Sequence, residues 1–175
     1  SNVFSIPAGQ TVTAANIAGA GSVQGLELHL PGMQVPDGTT VTDEGRAFTG
    51  KVNFKMTVSP SNQGVRLTRR IDYGICDQKG DVYIDGAYAG QWYTAGTAGS
   101  GAFFDTSFDV PATMTSGKSS LSVEIRFVSS CYDWNEFYYW AYSQLAGQWA
   151  LTDELDVGKT ASETTHQYVI TGQSW

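Results

Sequence analysis

Apolar and polar side chains alternate along much of this chain. In LSVEIRFVS (121–129), Leu121, Val123, Ile125 and Phe127 fall on one side of an extended backbone, and Ser122, Glu124 and Arg126 on the other. A two-residue period of this kind predicts a strand with one buried face. GVRLTRRIDY (64–73) repeats it: Val65, Leu67, Arg69, Ile71 and Tyr73 share a side, which sets a guanidinium inside an apolar row. Further strands are predicted at 3–8, 11–18, 22–31, 47–58, 81–86, 87–94, 102–110 and 136–145, separated by Gly, Pro, Asn and Asp. Asp85-Gly86, between DVYI and AYAGQWY, tolerates positive φ at both positions and predicts a tight hairpin. No stretch sustains an i, i+3, i+4 apolar pattern, so little helix is expected. The polar run LTDELDVGKTASETT (151–165) reads equally as a loop or as one short helix. Short strands at this spacing predict an all-β fold, an antiparallel β-sandwich of jelly-roll type, with residues 1–175 forming one domain.

Composition agrees with that class and narrows the partners. Charged residues are scarce at 15%, aromatics reach 13%, and 20 glycines supply turns rather than helices. The net charge of −7 argues against nucleic acid, and the local basic cluster Arg66, Arg69 and Arg70 is too small to reverse it. No apolar run approaches the ~18 residues of a membrane span, so no membrane partner is expected. The chain starts at Ser1 without a hydrophobic leader, as a processed or excised segment would, and secretion is the expected localisation. Cys76 and Cys131 each follow a strand-like run. They are either a bridge pinning two strand ends or two unrelated buried thiols. A bridge closing a loop of about 55 residues would contribute roughly 4 kcal/mol.

Few residues carry the patterns of familiar catalysis. His29 and His166 are the histidines, and neither lies near a G-x-S-x-G elbow or beside a cysteine. Zinc lacks ligand spacing. Structural calcium is open, because it takes oxygen ligands from scattered loops: Asp37, Asp43 and Glu44, or Asp153, Glu154 and Asp156. Solvated acidic loops are the simpler reading of the same residues, and no other cofactor is implied. Asp72, Asp105, Asp133 and Glu136 are candidates for a glycosidase carboxylate pair, a pair that is defined only in space.

The aromatic segments are more informative. A neutral sugar presents apolar C–H faces and a rim of hydroxyls, so its sites combine flat rings with Asp, Asn, Glu or Arg. In CYDWNEFYYWAYSQ (131–144), alternation puts Trp134, Glu136, Tyr138, Trp140 and Tyr142 on one side and Asn135, Phe137, Tyr139 and Ala141 on the other. The second row reads as core. The first contains a carboxylate that a dry core would need to pair, with Arg69 as the natural partner. Two arrangements follow, an Arg69–Glu136 ion pair inside the sandwich or the polar floor of a cleft. In GQWYTAGTAGSG (90–101), Trp92 and Tyr93 run into a loop of small residues. The expected site therefore has Trp92, Tyr93 and Trp134 stacking on sugar faces, with Arg69, Asp72, Asn135 and Glu136 bonding the hydroxyls. Tyr138 and Trp140 depend on which sheet face is covered.

NQGVRLTRRIDYG, DVYIDGAYAGQWYTAG, FDTSFDVPATMTSGKSSLSVEIRFVSS and DWNEFYYWAYS, between about 62 and 143, resemble the jelly-roll domains that accompany a family of microbial furanoside-active glycoside hydrolases. The resemblance implies a jelly-roll fold and a role beside a furanoside-active enzyme. It supplies no catalytic residue, since the catalytic segment of that family is not found in this sequence. The expectation is a carbohydrate-binding or lectin-like module that does not cleave its ligand. The alternatives are a small jelly-roll glycoside hydrolase or lyase, and an assembly domain whose rings form a protein interface.

Overall fold

The computed structural model describes residues 11–12, 26–99 and 101–172. The strand expected at 3–8 and most of that at 11–18 lie outside them. In chain order the strands are β1 (Thr11–Val12), β2 (Leu26–Gln34), β3 (Thr40–Phe48), β4 (Lys51–Thr57), β5 (Val65–Asp72), β6 (Gln78–Ile84) and β7 (Ala87–Thr94). They continue with β8 (Phe103–Val110), β9 (Ser120–Ser129), β10 (Trp134–Glu136), β11 (Tyr138–Leu145), β12 (Gln148–Asp156) and β13 (Val169–Thr171), with one short helix, α1 (Thr160–Thr165), before the last.

These strands form an antiparallel β-sandwich, as the alternation predicts. One sheet runs β12-β11-β5-β8 and the facing one β13-β4-β9-β6-β7. The chain crosses between them at β4–β5, β5–β6, β7–β8, β8–β9 and β12–β13. The inward rows meet in one core: Val65 and Leu67 of β5, Tyr139 and Ala141 of β11, and Leu155 of β12 pack with Phe54, Met56, Val82, Leu121, Val123 and Ile125 of the other sheet. A third sheet, β1-β2-β3-β10, covers one end over a smaller core of Leu28, Leu30, Met33, Val35, Ala47, Phe103 and Phe137. Buried Arg46 of β3 forks onto Glu163 at 2.6 and 2.9 Å and ties α1 to this layer.

The expected hairpin forms at Asp85-Gly86, with φ of 49° and 84°. The two cysteines are bridged, Cα atoms 5.4 Å apart, joining the β5–β6 turn to the loop before β10. Other expectations are corrected. The run 47–58 is not one strand: it turns at Thr49 and Gly50, where a Cβ on Gly50 would lie 2.1 Å from the Thr171 carbonyl oxygen. The first part of 151–165 is the end of an edge strand, β12, and only its last residues are helical. The segment 136–145 is likewise broken at Phe137, where the chain leaves β3 as partner and takes up β5 and β12. Among the described residues no helix is long and apolar enough to cross a membrane.

Candidate functional site

The break at Phe137 decides where the rings go. In β10, Trp134, Asn135 and Glu136 are all buried, because this short strand is wedged between the small core and the sandwich. Gly80 of β6 makes room for the Trp134 indole: a Cβ there would stand 2.7 Å from ring atom Cζ3. In β11, strict alternation returns. Tyr139, Ala141 and Ser143 are buried, while Tyr138, Trp140 and Tyr142 are half-buried on the outward face.

Six of the seven residues expected to hold a sugar are therefore interior. Trp92, Trp134, Arg69, Asp72, Asn135 and Glu136 are each at most 2% exposed. The expectation that they meet a ligand at the surface is corrected: their polar groups are bonded largely within the core, although Nε and Nη2 of Arg69 have no hydrogen-bond partner there. The Glu136 carboxylate accepts hydrogen bonds from Trp134 Nε1 at 3.0 Å and from the hydroxyls of Tyr139 and Tyr168. The Arg69 guanidinium carbon sits over the Trp134 ring, 3.3 Å from its centroid, with the Trp92 ring at 5.4 Å, and Nη1 donates to the Asn135 carbonyl at 3.2 Å. Burial pulls its pKa down to about 10 and pushes Glu136 up, with each charge easing the other's shift. The arrangement is closer to the ion-pair reading than to a cleft floor, with indole and phenol groups mediating the contact.

Trp92 donates from Nε1 to Thr106 Oγ1 at 3.3 Å and stacks on Phe108, so it packs beneath β8 instead of facing solvent. Asn135 accepts from the Asp72 N–H at 2.8 Å, and Asp72 accepts from the Gly74 N–H at 2.8 Å. Burial raises Asp72 to about 6 and Asp133 to about 7. Tyr93 is the exception, 50% exposed on the facing sheet beneath the Lys79 ammonium. It stands apart from the outward β11 rings.

Among the described residues, the two acidic stretches that could have held calcium bring no three carboxylate or imidazole groups together around one point. Among the described residues, the grouping of three possible ligand atoms is Cys76, Asp77 and Cys131, whose sulfurs are tied in the disulfide. Asp37 accepts from Thr39, Asp153 from His166 and the Thr57 N–H, and Asp156 from Lys159.

What the fold does expose is an aromatic and polar face on the sheet β12-β11-β5-β8. Tyr138, Trp140 and Tyr142 run up its middle, flanked by Arg66, Thr68 and Arg70 on β5 and by Asp105, Ser107 and Asp109 on β8. On β12, Asp156, Glu154, Leu151 and Trp149 pair with Tyr138, Trp140, Tyr142 and Gln144. These four share a face only because Thr152 is an extra residue, a bulge that shifts the alternation between Leu151 and Asp153. The Arg66 guanidinium sits 4.4 Å from the Trp149 ring and forks onto Asp109 at 2.7 and 3.1 Å. Arg70 sits 5.2 Å from the Trp140 ring and forks onto Asp105 at 2.8 and 3.0 Å. Between the two, the Thr68 and Ser107 hydroxyls lie 2.8 Å apart. A shallow depression of about 240 Å³ is lined by Arg66, Thr68, Ser107, Tyr142 and Trp149.

The phenols on this face are held protonated. Burial, then Glu154 and Asp156, push Tyr138 up to about 12, and burial with Asp105 and Glu154 raises Tyr142. Each can both donate and accept, as sugar hydroxyls require. Trp149 follows a turn in a polar segment where the alternation predicts nothing, so sequence reasoning missed it. The signal that could have found the face was the even-numbered row Tyr138, Trp140 and Tyr142. No protein-family model and no curated protein matches the chain.

Proposed function

We propose that this protein is a non-catalytic carbohydrate-binding module, lectin-like in action, that takes a polysaccharide or oligosaccharide on the outward face of β12-β11-β5-β8. One observation carries the reading: partly exposed Trp140, Trp149, Tyr138 and Tyr142 share a shallow sheet face with fixed Arg–Asp forks and paired hydroxyls. Flat rings suit the C–H faces of a sugar, and the polar groups suit its rim. The resemblance to jelly-roll domains of furanoside-active hydrolases supports an accessory role beside such an enzyme. The disulfide supports an oxidising, extracellular setting.

A hydrolase is the second reading, favoured by one group. Asp43, close enough to Asp156 and Arg70 to feel their charges, is pushed up to about 6 by burial first and Asp156 second, as a general acid would be. Affinity electrophoresis in arabinan, fructan and β-glucan gels, with reducing sugar assayed alongside, separates the two. Retention without sugar release, weakened in Trp149→Ala, is the expected result. Release that disappears in Asp43→Asn would replace binding with hydrolysis. Neither retention nor release would leave the face as a protein interface.

A further inference from the structure

The outward face holds the same constellation twice. Trp149, Arg66 and Asp109 form one unit, and Trp140, Arg70 and Asp105 form the other, each an indole beside a guanidinium that is forked by an aspartate. Arg66 and Arg70 are four residues apart on one strand, so the units stand about 14 Å apart along β5. The Thr68–Ser107 hydroxyl pair lies midway. In each unit the aspartate occupies the Nε–Nη2 edge of the guanidinium and balances its charge, so that side-on fork is closed to a carboxylate ligand. Glu154 adds further negative charge beside the rings and helps raise Tyr138, while Asp156 is paired with Lys159 at 2.8 Å.

We infer, on the basis of the binding function proposed above, that the face is a two-subsite platform for an extended, neutral glycan. Two sugar rings of one chain rest on Trp140 and Trp149, and the segment between them crosses Thr68 and Ser107. Like subsites select a chain that presents like rings at both, a neutral homopolymer. Polyuronates and sulfated glycans are turned away, since the cations are already neutralised and the remaining charge is negative. Holding the guanidiniums and indoles in place before the ligand arrives lowers the ordering cost of binding.

The test begins with affinity electrophoresis in gels of arabinan, inulin-type fructan, mixed-linkage β-glucan and polygalacturonate. Calorimetric titration follows, with oligomers of the best-retaining polymer from disaccharide to hexasaccharide. Expected are retention by a neutral polymer and not by polygalacturonate, and affinity that climbs steeply only once the oligomer spans both units. Trp140→Ala and Trp149→Ala should each weaken binding of the long oligomer about tenfold, and the double variant more than either. Unchanged circular dichroism in each variant separates loss of a subsite from loss of fold. Preference for polygalacturonate, a disaccharide that binds as tightly as the hexasaccharide, or sensitivity to one tryptophan alone would overturn the two-subsite platform while leaving carbohydrate binding intact. No retention by any of the four polymers would overturn the binding function itself, and this inference with it.

Discussion

Asp133 illustrates what burial does to one carboxyl group. It lies under the disulfide-linked loop, with the Asn135 amide 3.5 Å away, and titrates near 7 instead of its ordinary 3.8, chiefly because it is desolvated. The folded protein therefore holds a proton that the unfolded chain has released over that interval. The associated stabilisation is complete below about pH 4 and is lost as pH rises to about 7. Asp72 acts in the same direction, at about 6. Asp133→Asn cannot release the proton. Its stability relative to the native protein should rise between pH 4 and 7 by on the order of a few kcal/mol, read from urea unfolding at several pH values. A difference that stays flat with pH would mean that Asp133 is solvated in the fold.

At the scale of elements, the hairpin between β11 and β12 does two jobs. It returns the chain to the aromatic face, and it does so through Ala146 and Gly147, with φ of 49° and 78°. Alanine is a poor residue for that conformation, which costs a Cβ-bearing residue about 1–2 kcal/mol, while Asn-Gly is the favoured pair. Ala146→Asn should therefore raise unfolding stability by about 1 kcal/mol without changing retention on polysaccharide gels. Strands with clean alternation, such as LSVEIRFVS and GVRLTRRI, were legible from sequence because their period matches one buried face. So was the inward side of this region, where Phe137, between β10 and β11, and Tyr139 of β11 were expected in the core and are found there. β10 was not legible. Continuing the period through Phe137 joins Trp134 and Glu136 to the exposed row, whereas the chain changes sheets there. β3 and β12 were missed because their acidic and small residues obscure the period.

For the whole molecule, the disulfide fastens the loop before β10 to the turn after β5, next to the buried cluster of Asp72, Asn135, Asp133 and Gln78. Opening a bridge with a sequence separation of 55 removes a constraint on the unfolded chain rather than a large packing contact. Cys76→Ser with Cys131→Ser should cost about 4 kcal/mol, or roughly 10 °C of Tm, measured by calorimetry. The outward face lies on the opposite side of the β12-β11-β5-β8 sheet from the sandwich core, so at temperatures where the variant remains folded its polysaccharide retention should persist.

The extra residue at Thr152 has a consequence for how such a surface could arise or vanish. A single-codon deletion there would exchange the environments of Trp149 and Leu151 with those of their strand neighbours while leaving every other codon intact. Two descendants of one ancestor could therefore differ by one indel, align almost perfectly, and yet only one of them would present a tryptophan at that end of the platform. A comparison made by percent identity would rate them equivalent, although the difference in their ligand surface would be larger than many point substitutions could produce.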